Sequence, residues 1–217
     1  MYMRNLLAWR WIFFIGGMMI MSLGISLTIK GQRLGIGPWD VLHVGLFQNI
    51  GLTIGSWSII TGFIIVTVTS LVLRQWPRWG TWLNMMMIGL FIDFFNWLLP
   101  DLTSLTAQII SFVLGVLVLS YGVGIYVSPN LGAGPRDSLM LLFVEKFGWS
   151  LRLVRSGIEA TVTLVGFLLG GPVGVGTLLV VLFCGQLIQI ALPQCREILL
   201  KITDQEDEKV LWHYKGA

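Results

Sequence analysis

Apolar residues in this chain gather into long runs. Trp11–Ile29, Ser56–Leu73, Thr81–Leu99, Thr106–Val127, Leu151–Leu169 and Val175–Leu192 each hold about 18–22 residues with few charges, enough for a helix to cross a hydrocarbon core of about 30 Å. Small residues such as Gly16, Gly17, Ser22, Gly24 and Ser26 punctuate the first run, and small residues let helices approach closely in lipid. Two further apolar segments, Pro38–Ile50 and Pro135–Phe147, are shorter. At 1.5 Å per residue each reaches roughly 20 Å, too short to cross. The expected fold is an all-α polytopic membrane protein with six transmembrane helices and two short re-entrant helices.

The short segments open on the same motif. Gly35-Ile36-Gly37-Pro38-Trp39-Asp40-Val41-Leu42 returns about 97 residues later as Gly132-Ala133-Gly134-Pro135-Arg136-Asp137-Ser138-Leu139. The flanking runs follow in register. Gly51 matches Gly148, Thr53 matches Ser150, Gly80-Thr81 matches Gly176-Thr177, Gly89 matches Gly185 and Asp93 matches Gln189. A period near half the chain length predicts one membrane domain over residues 1–193, built from repeats at 11–99 and 106–193. Residues 194–217, with the acidic stretch Asp204, Glu206, Asp207 and Glu208, read as a solvated tail.

Charge sets the expected topology. If the short helices turn back, each half has an odd number of crossings and the halves form an inverted repeat. With the N-terminus inside, Arg4, Arg10, Arg74, Arg78, Arg136, Lys146, Arg152, Arg155, Arg196, Lys201, Lys209 and Lys215 are then cytoplasmic, and Lys30 and Arg33 lie outside. Spanning short helices would move Arg74, Arg78 and Arg136 outside as well. The positive-inside rule favours the turned-back form, with both termini cytoplasmic.

Composition agrees with a bilayer environment. The chain is 55% hydrophobic and 12% charged, against about 25% charged in soluble domains. Its mean hydropathy is +0.82. Trp9, Trp11, Trp57, Trp76, Trp79, Trp82, Trp97 and Trp149 sit near the ends of apolar runs, where interfacial tryptophan collects. Net charge is +3, but no basic cluster carries interleaved aromatics, so nucleic acid is not an expected partner. The two cysteines and two histidines show no metal-ligand spacing, and no phosphate-binding loop or nucleophile elbow occurs. Neither an enzyme, a metal nor a cofactor is expected.

The repeated motif has two readings. With Gly37 and Gly134 as N-caps, Pro38 and Pro135 fall at the first helical position and Asp40 and Asp137 in the first turn. Proline there forfeits no hydrogen bond, and an acid complements the helix dipole, so the motif starts a helix. Alternatively, half-helices that begin inside a membrane leave N–H groups to be satisfied, and inverted-repeat transporters build their central sites from such helices. Helix N-termini favour an anion, while the two aspartates favour a cation or a proton. Arg136 leans toward an anion. Candidate binding residues are Gly37, Asp40, His43, Gly134, Arg136 and Asp137 of the short helices. Asp93, Glu159, Gln186 and Gln189 join them because polar groups in apolar runs are costly unless used. Glu159 also lies one turn from Arg155, within ion-pair reach. Asp93 and Gln189 are expected to form a shared polar site.

The doubled Gly-x-Gly-Pro-x-Asp, the later Gly-Thr-x7-Gly pairs (Gly80-Thr81 to Gly89, Gly176-Thr177 to Gly185) and the size resemble the YczE/YyaS/YitT group of bacterial multipass membrane proteins, most closely its YczE-type branch. The resemblance covers about residues 11–193. It implies a bacterial plasma-membrane protein in a group largely without assigned activity, and it brings no catalytic residues. The chain is expected to be a transporter or channel for a small solute. The alternative is a non-transporting scaffold or accessory for an envelope or secondary-metabolite pathway. The bilayer is one expected partner; a second copy or another membrane protein stays open.

Overall fold

The computed structural model describes residues 2–132 and 134–203, which form eight helices and no strand. They are α1 (Tyr2–Lys30), α2 (Pro38–Ile50), α3 (Ile54–Leu73), α4 (Trp79–Leu98), α5 (Leu105–Val127), α6 (Pro135–Phe147), α7 (Leu151–Leu168) and α8 (Val175–Ile202). Four helical stretches are long and apolar enough to cross a membrane: Leu6–Lys30, Ile54–Leu73, Leu105–Val127 and Val175–Ile202. α4 and α7 match a span in length, at 20 and 18 residues. They are more polar, because α4 carries Asn84, Asp93 and Asn96 and α7 carries Arg152, Arg155 and Glu159. Trp76, Trp79 and Trp97 are 93%, 87% and 80% exposed and sit at or beside the ends of α3 and α4.

The short helices have the expected bounds, and local chemistry explains both ends. Gly37 and Gly134 are extended N-caps with proline following. Gly51 and Gly148 close the helices at φ +86° and +67°, a region other residues enter with strain. The next helices are capped by side chains: Thr53 Oγ1 accepts from the Ser56 N–H at 3.0 Å, and Ser150 Oγ from the Leu153 N–H at 3.4 Å.

One expected boundary is corrected. The last helix does not stop at Pro193 but continues to Ile202. An internal proline costs a hydrogen bond and bends a helix, but here one face stays buried across it, through Ala191, Cys195 and Leu199. Gly124 of α5 gives that face room: an added Cβ would stand 3.1 Å from Ala191. The same helix contains a π turn, Val180–Cys184. The acidic stretch of the expected tail, with Lys209, His213 and Lys215, lies outside the described residues, as does Ala133.

α1 and α5 form the central pair and run antiparallel. A Cβ on Gly17 would collide with Tyr126, on Gly24 with Leu119, on Gly122 with Met21, and on Gly115 with Thr28. Each step up α1 is matched by an equal step down α5. Ser111 Oγ of α5 donates to Leu27 O at 2.8 Å across the same seam. α4 docks on α1 through Ser22 Oγ to Ile88 O and Ser26 Oγ to Ile92 O, both 3.3 Å. α8 docks on α5, bringing Cys184 Sγ to 3.6 Å from Ser120 Oγ. The motif loops cross between halves: Gly35 packs on Gly174 and Thr177, and Gly132 packs on Gly80 and Thr81. α2 lies on α7, where Gly166 meets Val41 and Leu42, and α6 lies on α3, where Gly62 faces Pro135.

Polar contacts join the helix ends. Lys30 Nζ reaches Asp101 Oδ1 at 2.6 Å, tying the end of α1 to the α4–α5 connection. Arg10 donates twice to Pro129 O, at 2.8 and 3.1 Å, tying the start of α1 to the end of α5. Asn49 Nδ2 donates to Leu169 O at 2.5 Å, joining the end of α2 to the end of α7.

Two outcomes test this packing. Gly122→Val is expected to destabilise by about 1–3 kcal/mol, the usual cost of overpacking. Gly16→Val, with nothing within 4 Å of its added Cβ, is expected to be near neutral; thermal midpoints of the purified protein compare them. The Lys30 hydrogen bond, followed by its charge, holds the Asp101 carboxyl below its usual range. A depressed carboxyl stabilises above its unfolded-state pKa and loses that contribution as pH falls through the folded value. The midpoint difference between wild type and Asp101→Asn should therefore be present at neutral pH and vanish on acidification.

Candidate functional site

The N-termini of α2 and α6 open on one cavity of about 420 Å³, to which all eight helices contribute. Small-molecule sites run from about 300 to 1,000 Å³, so the space suits a small solute. Met21, Met85, Ile88, Leu119 and Val123 supply apolar wall. The polar groups cluster at the two helix starts.

Equivalent positions of the two motifs touch. The Arg136 guanidinium lies 5.0 Å from the centre of the Trp39 ring, a cation–π distance. Asp40 is 4% exposed, and its Oδ1 has no hydrogen-bond partner in the protein. Asp137 accepts a hydrogen bond from the Gly134 backbone and so helps to cap α6. His43 is 1% exposed, with Nε2 2.9 Å from Thr61 Oγ1. When Thr61 gives its one proton to Trp57 O, 2.8 Å away, the His43 Nε2–H donates and Nδ1 of the neutral ring is an acceptor. That Nδ1 has no partner in the protein. Arg155 Nε pairs with Glu159 Oε1 at 2.9 Å, the ion pair their spacing allows.

Seven of the ten expected residues line this cavity: Gly37, Asp40, His43, Gly134, Arg136, Asp137 and Glu159. Asp93, Gln186 and Gln189 do not. Asp93 accepts from Thr53 Oγ1 at 2.5 Å and from the Gly55 N–H at 2.8 Å, holding the start of α3 against α4. Gln186 and Gln189 are exposed. The shared Asp93–Gln189 site is therefore not formed: the carboxylate is spent on a helix N-terminus, and the glutamines point outward.

Trp39, Thr61, Asn84 and Tyr126 also line the site but were not among the expected residues. Asn84 and Tyr126 flank Gly134, where an added Cβ would be 3.4 Å from Asn84 Oδ1 and 3.5 Å from the Tyr126 hydroxyl oxygen. Asn84 signalled itself as an amide within an apolar run, like Asp93. Tyr126 ends a span and looks interfacial in sequence; only its 6% exposure places it inside.

The comparisons with known proteins agree with a membrane protein and leave the chemistry open. The chain is 51% identical over 197 residues to the "Uncharacterized membrane protein YczE" of Bacillus subtilis, covering 91% of this chain and 92% of the relative. It is 37% identical to an uncharacterized protein of Haemophilus influenzae (80% and 78% covered) and 32% identical to the uncharacterized protein YyaS of B. subtilis (82% and 89%). No solved structure matches. The model of a family of unknown function, DUF6198, matches residues 8–193. With that match, the chain belongs to the DUF6198 family, and it is similar to the membrane protein YczE.

Proposed function

We propose that this membrane protein carries a small solute through the central cavity by alternating access of two inverted halves. The observation that carries the reading is the meeting of both motif helices at one polar cavity. Inverted-repeat transporters place their sites where half-helices from the two repeats converge.

The contacts at the helix ends support the inversion. Lys30 and Asp101 share one end of the bundle. Between them lie α2, α3 and α4, so an even number of these cross. With α3 and α4 as the crossing pair, α2 turns back, as the charge distribution also favours. The reciprocal contacts of α1 and α5 fit a twofold relation. Gly24 on Leu119 and Met21 on Gly122 exchange when the halves exchange, as do Gly17 on Tyr126 and Thr28 on Gly115.

The two halves differ where an access path is needed. α3 and α4 are sealed by Gly55 packed against Gly89 and by Asp93 on Thr53 and Gly55. At the matching place in the second half, a Cβ on Gly185 would meet only the Arg155 guanidinium, 3.4 Å away. The π turn Val180–Cys184 occupies the stretch that matches Asn84–Ile88. Val181 is 37% exposed, while the matching Met85 is 6% exposed. In the turned-back topology the sealed seam faces outside and the open one faces the cytoplasm, which is an inward-open arrangement. Alternation would close α7 on α8 and release the Asp93 contacts. No chemical step is assigned to the chain, which acts as a carrier.

Accessibility tests the reading. In a background without native cysteines, Met140→Cys on the cavity wall should react with a membrane-impermeant thiol reagent from the cytoplasmic side. Asp93→Ala, which unseals α3 from α4, should raise labelling from outside several-fold, while Gln186→Ala should not. Failure of Met140→Cys to react from either side, with exposed Leu52→Cys reacting normally, would end the proposal.

A further inference from the structure

Resting on that reading, the polar atoms of the cavity go further and specify the solute. Three side chains lining it are at least nine-tenths buried and hold a polar atom without a partner in the protein: Asp40 Oδ1, His43 Nδ1 and Asn84 Nδ2. A buried polar atom left without a partner is destabilising. Two are acceptors when His43 donates through Nε2, and they lie one helical turn apart, on the same face of α2. The third is an amide donor on α4. Trp39 is next to Asp40, and Arg136 shows that its ring face accommodates a cation.

Charge decides the sign that the sequence left open. The cavity is lined by three acids, Asp40, Asp137 and Glu159, and two bases, Arg136 and Arg155. Arg155 is tied to Glu159, and Asp137 is engaged at its own helix cap. The excess acid is Asp40, which lines the cavity and whose Oδ1 is buried without a partner in the protein. Arg136, the base left among the lining residues, lies over the Trp39 ring; an anion beside Asp40 and the His43 lone pair would still meet a carboxylate and an acceptor.

We infer that the solute is a small organic ammonium that also carries a hydrogen-bond acceptor. Its ammonium sits between Asp40 Oδ1 and His43 Nδ1, and its acceptor takes the Asn84 amide hydrogen. Ammonium–carboxylate bonds are charge-assisted and among the stronger polar contacts. The apolar wall of Met21, Met85 and Ile88 leaves room for a short hydrocarbon body. Amino alcohols and small amino acids share this chemistry.

The test uses purified full-length protein in lipid nanodiscs, with ethanolamine, glycine, acetate and ethanol as probes. Ethanolamine and glycine are expected to raise the thermal midpoint, since a ligand of the native state stabilises it; acetate and ethanol are not. Equilibrium dialysis with labelled ethanolamine should show a loss of at least about tenfold in affinity on Asp40→Asn. His43→Phe should give a similar loss and serves if Asp40→Asn does not fold. Asn84→Asp exchanges a donor for an acceptor. It should weaken glycine more than ethanolamine, because a hydroxyl can also donate and a carboxylate cannot. Binding of acetate that survives Asp40→Asn overturns the inference, as does the absence of any midpoint shift with either ammonium probe. If Met140→Cys is reachable in the same preparation, such a failure falls on the ammonium assignment alone. An unreachable Met140→Cys counts instead against the transport reading beneath it.

Discussion

A helix that begins away from water must find partners for its first N–H groups, and much of this structure follows from that constraint. α2 and α6 each have 13 residues, about 20 Å of helix, too short to cross a hydrocarbon core of about 30 Å. The motif reduces the cost at the start. Pro38 and Pro135 remove one orphan donor, and Asp40 and Asp137 bring negative charge to the positive end of the helix. What remains must be shared with neighbours, and the cavity lies where both starts open. Starting a helix and building a site are thus two results of the same residues. Asp137 is turned to its own cap, while Asp40 keeps an oxygen free.

Bringing the two starts together requires close helix contact, which small residues supply. Gly17, Gly24, Gly115 and Gly122 let α1 and α5 approach backbone to backbone, and that pair frames the cavity with Met21, Thr28, Leu119 and Tyr126. The crossing loops add a second layer, with Gly35 on Gly174 and Gly132 on Gly80. The halves are not equal. Leu142 and Thr69 stand where Gly45 and Gly166 stand in the other half, so α2 beds more deeply than α6. Of α2, Pro38–Val41 and His43–Gly45 are buried; of α6, only Pro135 and Leu142 are.

The sequence made the helices and the motif legible because both are local. Run length gave the long helices. Gly-Pro-x-Asp gave both short-helix starts, and Gly51 and Gly148 their ends. Pro193 misled because its cost is local while its compensation, the face through Ala191 and Cys195 packed beside Gly124, is tertiary. Asp93 misled for a related reason. A carboxylate in an apolar run signals a need for donors, but not whether a ligand or a helix N-terminus supplies them. Here Thr53 and Gly55 do. Asn84, Thr61 and Tyr126 became site residues only when three dimensions placed them beside Gly134 and His43. The sign of the cavity's charge was illegible for the same reason, since it depends on which acids are already paired.

The direction of α2 is the point on which the rest turns, and one accessibility experiment addresses it. Gln32, Leu52 and Gln75 are exposed residues before α2, after α2 and after α3. Single cysteines at these positions, in intact cells and in inverted vesicles, report the face of each. With α2 turned back, positions 32 and 52 react from the same side and position 75 from the opposite side. Reaction of position 32 from the side opposite to 52 would mean that α2 crosses, and the inverted arrangement around the cavity would fall with it.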